Sequence, residues 1–252
     1  MITYASGGLL GDFIHQLSVV QENFLSTGRK GCVYLSNHSE PFRFGIERAY
    51  ADLWEVVSSQ DYVESFHVRA YERFDVDLSA WRQSPLLYQA NWRTIFEGTY
   101  QVPWGAHKWL TLPAADEYQN TILIGLTARR PPTVDWEFLH RLPGAILFAA
   151  DNQEELDVWQ AATRSNLPTK VFPSLYELYR AIHGCKLFIG SLSSPLAAAM
   201  AAHRPCIGLV CRPIDGAHLP HVAGLEKLLP YFQLADREPT DAMLERALGT
   251  SP

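Results

Sequence analysis

Cysteine is scarce in this chain. The four that occur, Cys32, Cys185, Cys206 and Cys211, form no Cys-x-x-Cys pair and no other zinc-type spacing, which argues against a zinc-built domain. Cys32, Cys185 and Cys206 lie in or beside apolar runs and read as buried thiols. Long apolar runs are missing too. None approaches the ~18–20 residues of a membrane span, so no integral membrane segment is expected. The start, Met1-Ile2-Thr3-Tyr4, has neither the basic region nor the apolar stretch of a secretory signal, and the expected compartment is the cytoplasm. No basic stripe is visible, and the formal net charge is -6. That balance speaks against a general nucleic-acid binder. It leaves phosphate binding open, because a few donors at a helix N-terminus suffice for it.

What the chain does have is an ordinary globular composition, 47% hydrophobic, with aromatics raised to 12% and seven tryptophans. At 252 residues it is long enough for two small domains with real cores. Ile2 to Ala5 reads as a strand, followed by the glycine-rich turn Ser6-Gly7-Gly8-Leu9-Leu10-Gly11-Asp12. Phe13, Ile14, Leu17, Val20 and Phe24 recur at helical spacing, so residues 11–26 are expected to form an amphipathic helix, ended by Gly28. Gly31 to Ser36 is a second strand, completing a β-α-β unit. A helix over 46–60 and a strand from Val63 to Tyr71 follow. Trp81 and Trp92 stand eleven residues apart, about three helical turns, which allows one shared helix face. They read as a core or groove plug, or as an acceptor platform. Residues 103–120, with Pro103, Gly105, Pro113 and Asn120, look like a linker.

The second half alternates more regularly. Strands are expected at 121–126, 145–150, 170–172, 186–190 and 206–210. Helices are expected near 135–141 and over 153–163, 175–183 and 194–203. Ser174 and Glu177 form a capping box, and Pro195 suits a helix start. Alternating strands and helices argue for doubly wound parallel sheets. The expected architecture is α/β, two Rossmann-like domains facing a cleft, divided as 1–112 and 113–252, with the ligand site between them.

Three elements can carry chemistry. In the glycine-rich turn, Gly8 and Gly11 allow a tight bend and close approach to backbone N–H groups. Asp12, in the first helical turn, is either a dipole-favoured carboxylate or a general base. The spacing is not Gly-x-Gly-x-x-Gly, and Ser36-Asn37-His38 replace the acidic residue that a nicotinamide site needs. In the loop Thr127 to Thr133, Thr127, Arg129 and Arg130 suit a diphosphate. In the segment from Phe188 to Ala201, Ser191, Ser193 and Ser194 offer hydroxyls where a strand breaks into a small-residue helix. His218-x-x-His221 has metal-ligand spacing but no completing carboxylate or cysteine, so no metal site is expected. There is no Gly-x-Ser-x-Gly elbow for a hydrolase. His183 and His203 lie near helix ends, where a positive charge suits the dipole.

Together these elements resemble the glycosyltransferase-B fold and, within it, the ADP-heptose:lipopolysaccharide heptosyltransferase family. The resemblance rests on Gly11-Asp12, on Thr127, Arg129 and Trp136, and on Ile189, Gly190, Ser193, Pro195 and Ala199. It implies an inverting, metal-independent glycosyltransferase. Its donor would be a nucleotide-diphosphate sugar, used as substrate without a further cofactor, and its acceptor glycan or lipid-linked. Asp12 would be the base. Gly8, Gly11, Thr127, Arg129, Arg130, Ser191, Ser193 and Ser194 would hold the nucleotide sugar. The family's lysine position is Val134, with Arg130 as substitute. Its acidic and histidine positions are Leu192 and Ala197. These departures also fit a non-catalytic binding or assembly protein, and a sugar-nucleotide epimerase is a third alternative. The sequence leaves the oligomeric state open.

Overall fold

Ten short strands of two to six residues, most of them apolar and alternating with helices or turns, run parallel in two sheets among the described residues. The protein is seen here as a computed structural model, which describes residues 1–70, 72–131, 134–163, 166–211, 215–216 and 219–249. In chain order the elements are β1 (Ile2–Ser6), α1 (Leu10–Thr27), β2 (Gly31–Leu35), α2 (Ile46–Ser58), β3 (Val63–Val68), β4 (Val76–Asp77) and α3 (Trp92–Tyr100). Then follow β5 (Thr121–Gly125), β6 (Ala145–Ala150), α4 (Gln153–Thr163), β7 (Thr169–Val171), α5 (Leu175–Gly184), β8 (Leu187–Ser191) and α6 (Ser194–Ala201). The chain continues with β9 (Cys206–Leu209), α7 (Leu219–Val222), β10 (Phe232–Ala235) and α8 (Asp241–Gly249). The first sheet has the order β3-β2-β1-β4 and the second β10-β9-β8-β5-β6-β7. β1 runs in register with β2 from Ile2 opposite Gly31 to Ser6 opposite Leu35, and β5 pairs with β8 from Ile122 to Gly125.

The sheets are joined through helices. α1 packs on β1 and also on α6, so it is buried on more than one face. Its polar residues His15, Gln16, Ser18 and Glu22 are buried with Phe13, Ile14 and Leu17. Each of the last three polar residues has a partner, as burial demands. Gln16 accepts from the Ser6 hydroxyl, the Ser18 hydroxyl donates to the His15 carbonyl, and Glu22 pairs with His107 at 2.9 Å. Gly28 closes the helix at φ 68, its N–H donating to the Phe24 carbonyl. α6 is a run of small residues, Ala197 to Ala199 and Ala201, all buried. One hydrophobic cluster therefore extends from Phe13 and Trp92 to Leu178, Met200 and Phe232. A second, smaller cluster fills the far face of the six-stranded sheet around Ile124, Phe138 and Trp159.

Several elements depart from the sequence expectation. Trp81 and Trp92 do not share a helix. Trp81 lies in a 3-10 turn, Ala80–Gln83, that stops at Ser84 in an extended conformation, as a residue before proline prefers. The two rings nevertheless meet edge to face at 4.7 Å, both buried. Asn91 caps α3, its side chain accepting from the Thr94 N–H. The expected helix near 135–141 is a 3-10 turn, Trp136–Arg141, capped by Asp135. Ser174 caps α5 through the Glu177 N–H, but the Glu177 carboxylate pairs with Arg180 instead of closing a box. His183 and His203 are no dipole cations. Burial pushes both below the usual histidine range, His203 to about 4.

The stretch 103–120, expected as a linker, joins α3 to β5 and is packed into the core. Trp104 and Trp109 are fully buried. Their indole N–H groups donate to α1 carbonyls, Trp104 to His15 at 3.3 Å and Trp109 to Ile14 at 2.8 Å. The Trp109 backbone N–H donates to the Ala201 carbonyl, and the Tyr62 hydroxyl donates to the Trp109 carbonyl. Trp109 thus ties α1, α6 and the first sheet together. Trp109→Ala is expected to lower unfolding stability by about 3–5 kcal/mol, the usual cost of emptying a buried tryptophan site. Urea titration of both forms measures it. A loss below about 1 kcal/mol would show that the segment is peripheral.

Candidate functional site

The carboxyl ends of the strands and the first turns of α1 and α6 open onto a cleft of about 720 Å³, within the range of small-molecule sites. The two helices pack on each other with their first turns adjacent. A Cβ on Gly11 would lie 3.4 Å from the Ser194 N, so two helix N-termini, each carrying a partial positive charge, converge on the floor of the cleft. Asp12 is the acidic residue in the first turn of α1, and α6 has none in its first turn.

The cleft gathers most of the residues singled out in the sequence. Gly11, Asp12, Thr127, Arg129, Arg130, Ser193 and Ser194 line it, with Leu192 and Ala197 between them. Gly8 and Ser191 do not. Gly8 is buried at φ +116, and the Arg82 guanidinium lies where a Cβ on it would point. The turn has glycine here for its positive φ, and the side chain it faces belongs to the protein itself. Ser191 is fully buried, its hydroxyl held between the Thr127 N–H and the Arg130 carbonyl. It shapes the loop from within. Thr133 and His218 lie outside the described residues. Val134 packs partly buried against the second cluster. Arg130, the expected substitute for the family's lysine, is turned inward, bonded to the Leu192 carbonyl at 2.6 Å and paired with buried Asp215 at 3.1 Å.

Asp12 is held by Arg82 at 2.6 Å. The same guanidinium donates to the Gly7 carbonyl and lies over the Trp81 ring at 4.4 Å. Across the cleft, the Thr127 hydroxyl donates to Glu155 at 2.9 Å. Burial, reinforced by Asp151, pushes the Glu155 carboxyl up to about 7. Partial burial and the nearby Arg43 and Arg130 push Arg129 below the usual arginine range, with Glu155 opposing. Arg43, Arg82, Asp151 and Glu155 thus belong to the site, although the sequence reading passed over them. Glu155 sits in the run Gln153-Glu154-Glu155, which looks like a solvated helix start. Arg43 lies in a loop with no motif.

The aromatic wall was also only half legible. Trp81 and Trp92 line the cleft beside His15, Tyr88 and His221. His221, half of the possible metal pair, stacks on Tyr88 at 5.5 Å and packs against Trp92 at 4.6 Å. Among the described residues no group of three or more His, Cys, Asp or Glu gathers as a metal site would require. No helix among them is long and apolar enough to cross a membrane.

No family model matches the chain, and no curated protein matches it in sequence. Solved structures do match. An E. coli heptosyltransferase, WaaC with ADP, is 14% identical with a TM-score of 0.59, over 94% of this chain and 93% of that one. A glycosyl transferase of family 9 from Veillonella parvula DSM 2008 is 12% identical with a TM-score of 0.59, over 96% and 89%. The E. coli ADP-heptose lps heptosyltransferase II is 12% identical with a TM-score of 0.56, over 99% and 97%. At such identities the likeness concerns architecture. Two parallel α/β sheets facing one cleft, with this likeness, make this a glycosyltransferase-B fold.

Proposed function

We propose that the protein is a glycosyltransferase that moves a sugar from a nucleotide-diphosphate sugar to an acceptor hydroxyl in this cleft. The observation that carries the reading is the convergence of Asp12, the Thr127–Arg130 loop and the first turn of α6 on one cavity. Residues 1–112 would form the acceptor side and 113–252 the donor side. Arg129, the Ser193 and Ser194 hydroxyls and the N–H groups of the α6 first turn would hold the diphosphate, since preorganised donors stabilise charge developing on a leaving group. Asp12 would take the proton of the acceptor hydroxyl as its oxygen attacks the anomeric carbon. The bond from that carbon to the diphosphate breaks on the opposite side, which inverts the configuration. Arg129 and the helix ends would supply counter-charge to the diphosphate, so the transfer would need no metal for that task. The WaaC structure with ADP supports a nucleotide on this fold.

A second reading, binding without transfer, is supported by the 2.6 Å pair of Asp12 with Arg82 and by apolar Leu192 and Ala197 in the cleft wall. Asp12→Asn separates the two. On the transfer reading it leaves nucleotide-sugar binding in place and lowers turnover about 10²–10⁴-fold, the usual worth of a general base. Calorimetry and a donor panel measure both. Binding with no turnover by the unaltered protein would establish the second reading. Arg129→Ala is expected to weaken nucleoside-diphosphate binding by about 1.5–3 kcal/mol, the value of a charged hydrogen bond. Unchanged affinity would remove Arg129 from the site.

Binding should also depend on pH through Glu155. Its folded-state pKa, about 7, lies above its ordinary 4.5, so the side chain is neutral below that value and anionic above it. The diphosphate of a nucleotide sugar, esterified at both ends, keeps its charge across this range. Affinity should therefore fall several-fold from pH 6 to pH 8, and Glu155→Gln should flatten the profile at the pH 6 level. A titration series at four pH values tests it. An unaltered slope in Glu155→Gln would assign the dependence to another group.

A further inference from the structure

The cleft is lined by five arginines, Arg43, Arg48, Arg82, Arg129 and Arg130, and by no lysine among the described residues. Three of them are neutralised by the protein itself. Arg48 pairs with Asp52 at 2.9 Å, Arg82 with Asp12 at 2.6 Å and Arg130 with Asp215 at 3.1 Å. Arg43 and Arg129 are the two left over. Among the described residues neither makes an ion pair or a hydrogen bond. They come from opposite walls. Arg129 follows β5 of the six-stranded sheet, and Arg43 lies between β2 of the first sheet and α2. Each stands within reach of the other's charge. After burial, Arg43 is the strongest influence pushing Arg129 below the usual arginine range.

Arg43 is held in place by its own turn. Phe42 is buried, the Gly45 N–H donates to the Phe42 carbonyl at 3.0 Å, and Gly45 takes φ +85. Arg43 and Phe44 are the tip between these anchors. The Arg43 guanidinium rests on the Phe44 ring at 4.5 Å. That contact supports one face of the guanidinium and leaves the N–H donors at its edge open. α2 starts just after the tip, at Ile46, and packs on α5 from the other half of the chain, which braces the tip against the opposite wall. The nearby carboxylates do not discharge the two arginines. Glu155 accepts from the Thr127 hydroxyl and Asp151 from the Asn152 amide. Two unpaired cations on facing walls repel each other, and an anion that both can reach removes the repulsion. Each guanidinium offers a planar fork of donors that fits phosphate oxygens.

We propose that Arg43 is a donor-binding residue contributed from the acceptor wall, and that Arg43 and Arg129 hold one diphosphate between them. The inference rests on the transfer reading above, which identifies the anion as the diphosphate of a nucleotide sugar. It accounts for a shortage of charge on the donor wall. There Val134 stands at the lysine position of the resembling motif and packs against the second cluster, and Arg130 is turned inward to Leu192 and Asp215. The second cation that a departing diphosphate calls for comes from across the cleft. A bound donor then bridges the two walls, adding a ligand-borne tie to the contact between α1 and α6.

The test is calorimetric titration of the full chain with ADP, UDP and inorganic pyrophosphate, repeated on Arg43→Ala, Arg129→Ala and the double variant. Arg43→Ala should weaken binding by about tenfold or more, the worth of a charged hydrogen bond. The double variant should lose less than the product of the two single losses, as groups that share one partner do. Arg73→Ala removes the same charge at an exposed position outside the cleft and should change affinity less than about twofold, since distant surface charge is screened. Thermal unfolding checks that the variants fold, and Arg43→Gln, which keeps most of the stem, replaces Arg43→Ala should that one not fold. Binding weakened by Arg129→Ala and indifferent to Arg43→Ala defeats this inference and leaves the transfer reading standing. Single losses that multiply in full assign the two arginines to separate partners and overturn the shared hold. Pyrophosphate binding weakened by both variants, without binding of either nucleotide, leaves the shared anion site standing and defeats the transfer reading.

Discussion

The structure turns on the contact between the first turns of α1 and α6. At that point the backbone of Ser194 stands 3.4 Å from the Cβ position of Gly11, at van der Waals contact. Helices approach this closely only where side chains are small, and α6 meets the condition with alanines along its buried face. The contact brings the two sheets into one hydrophobic cluster and fixes the cleft between their carboxyl ends. It also aims two positive helix ends at one place. Electrostatics there favours an anion, whichever chemistry follows.

Arg82 is the second organiser. It comes from the 3-10 turn that follows β4, fills the space that Gly8 leaves, and binds Asp12, the Gly7 carbonyl and the face of Trp81 at once. A carboxylate in such a grip is well oriented, which is what a positioned base needs. It also shares its charge with a neighbour, which is what a structural ion pair needs. The geometry is common to both roles, so only a measurement that separates binding from turnover distinguishes them.

The sequence was most legible where one element alone decides the local structure. Phe13, Ile14 and Leu17 announce α1, the run Thr121 to Gly125 announces a buried strand, and the Ser193-Ser194-Pro195 turn announces α6. It was least legible where distant residues meet. β10 is four residues long, too short for a period to show. The gap between Trp81 and Trp92 matched a helix that Ser84 and Pro85 interrupt, yet the rings still met, because the chain turns back on itself. The same holds for the glycine turn. Glycine signals that something comes close, and a local pattern cannot say whether that is a ligand phosphate or, as at Gly8, a guanidinium from residue 82.

The wall of the cleft built by the six-stranded sheet shows how such differences redistribute charge. Leu192 and Ala197 stand where the resembling motif carries polar groups, and Arg130 is drawn inward by the Leu192 carbonyl and Asp215. The cations left facing the cleft near that loop are Arg129 and Arg43, with Asp151 and Glu155 close enough to alter the balance. A cleft of this kind does not hold an anion by bulk charge, since the chain is acidic overall. It must do so through local geometry, with helix N–H groups and one or two arginines in a poorly solvated place, where each pairing counts for more than it would in water. That requirement makes the protonation state of Glu155 consequential. A carboxylate that gains or loses its charge beside Arg129 shifts the local field that an anion meets there.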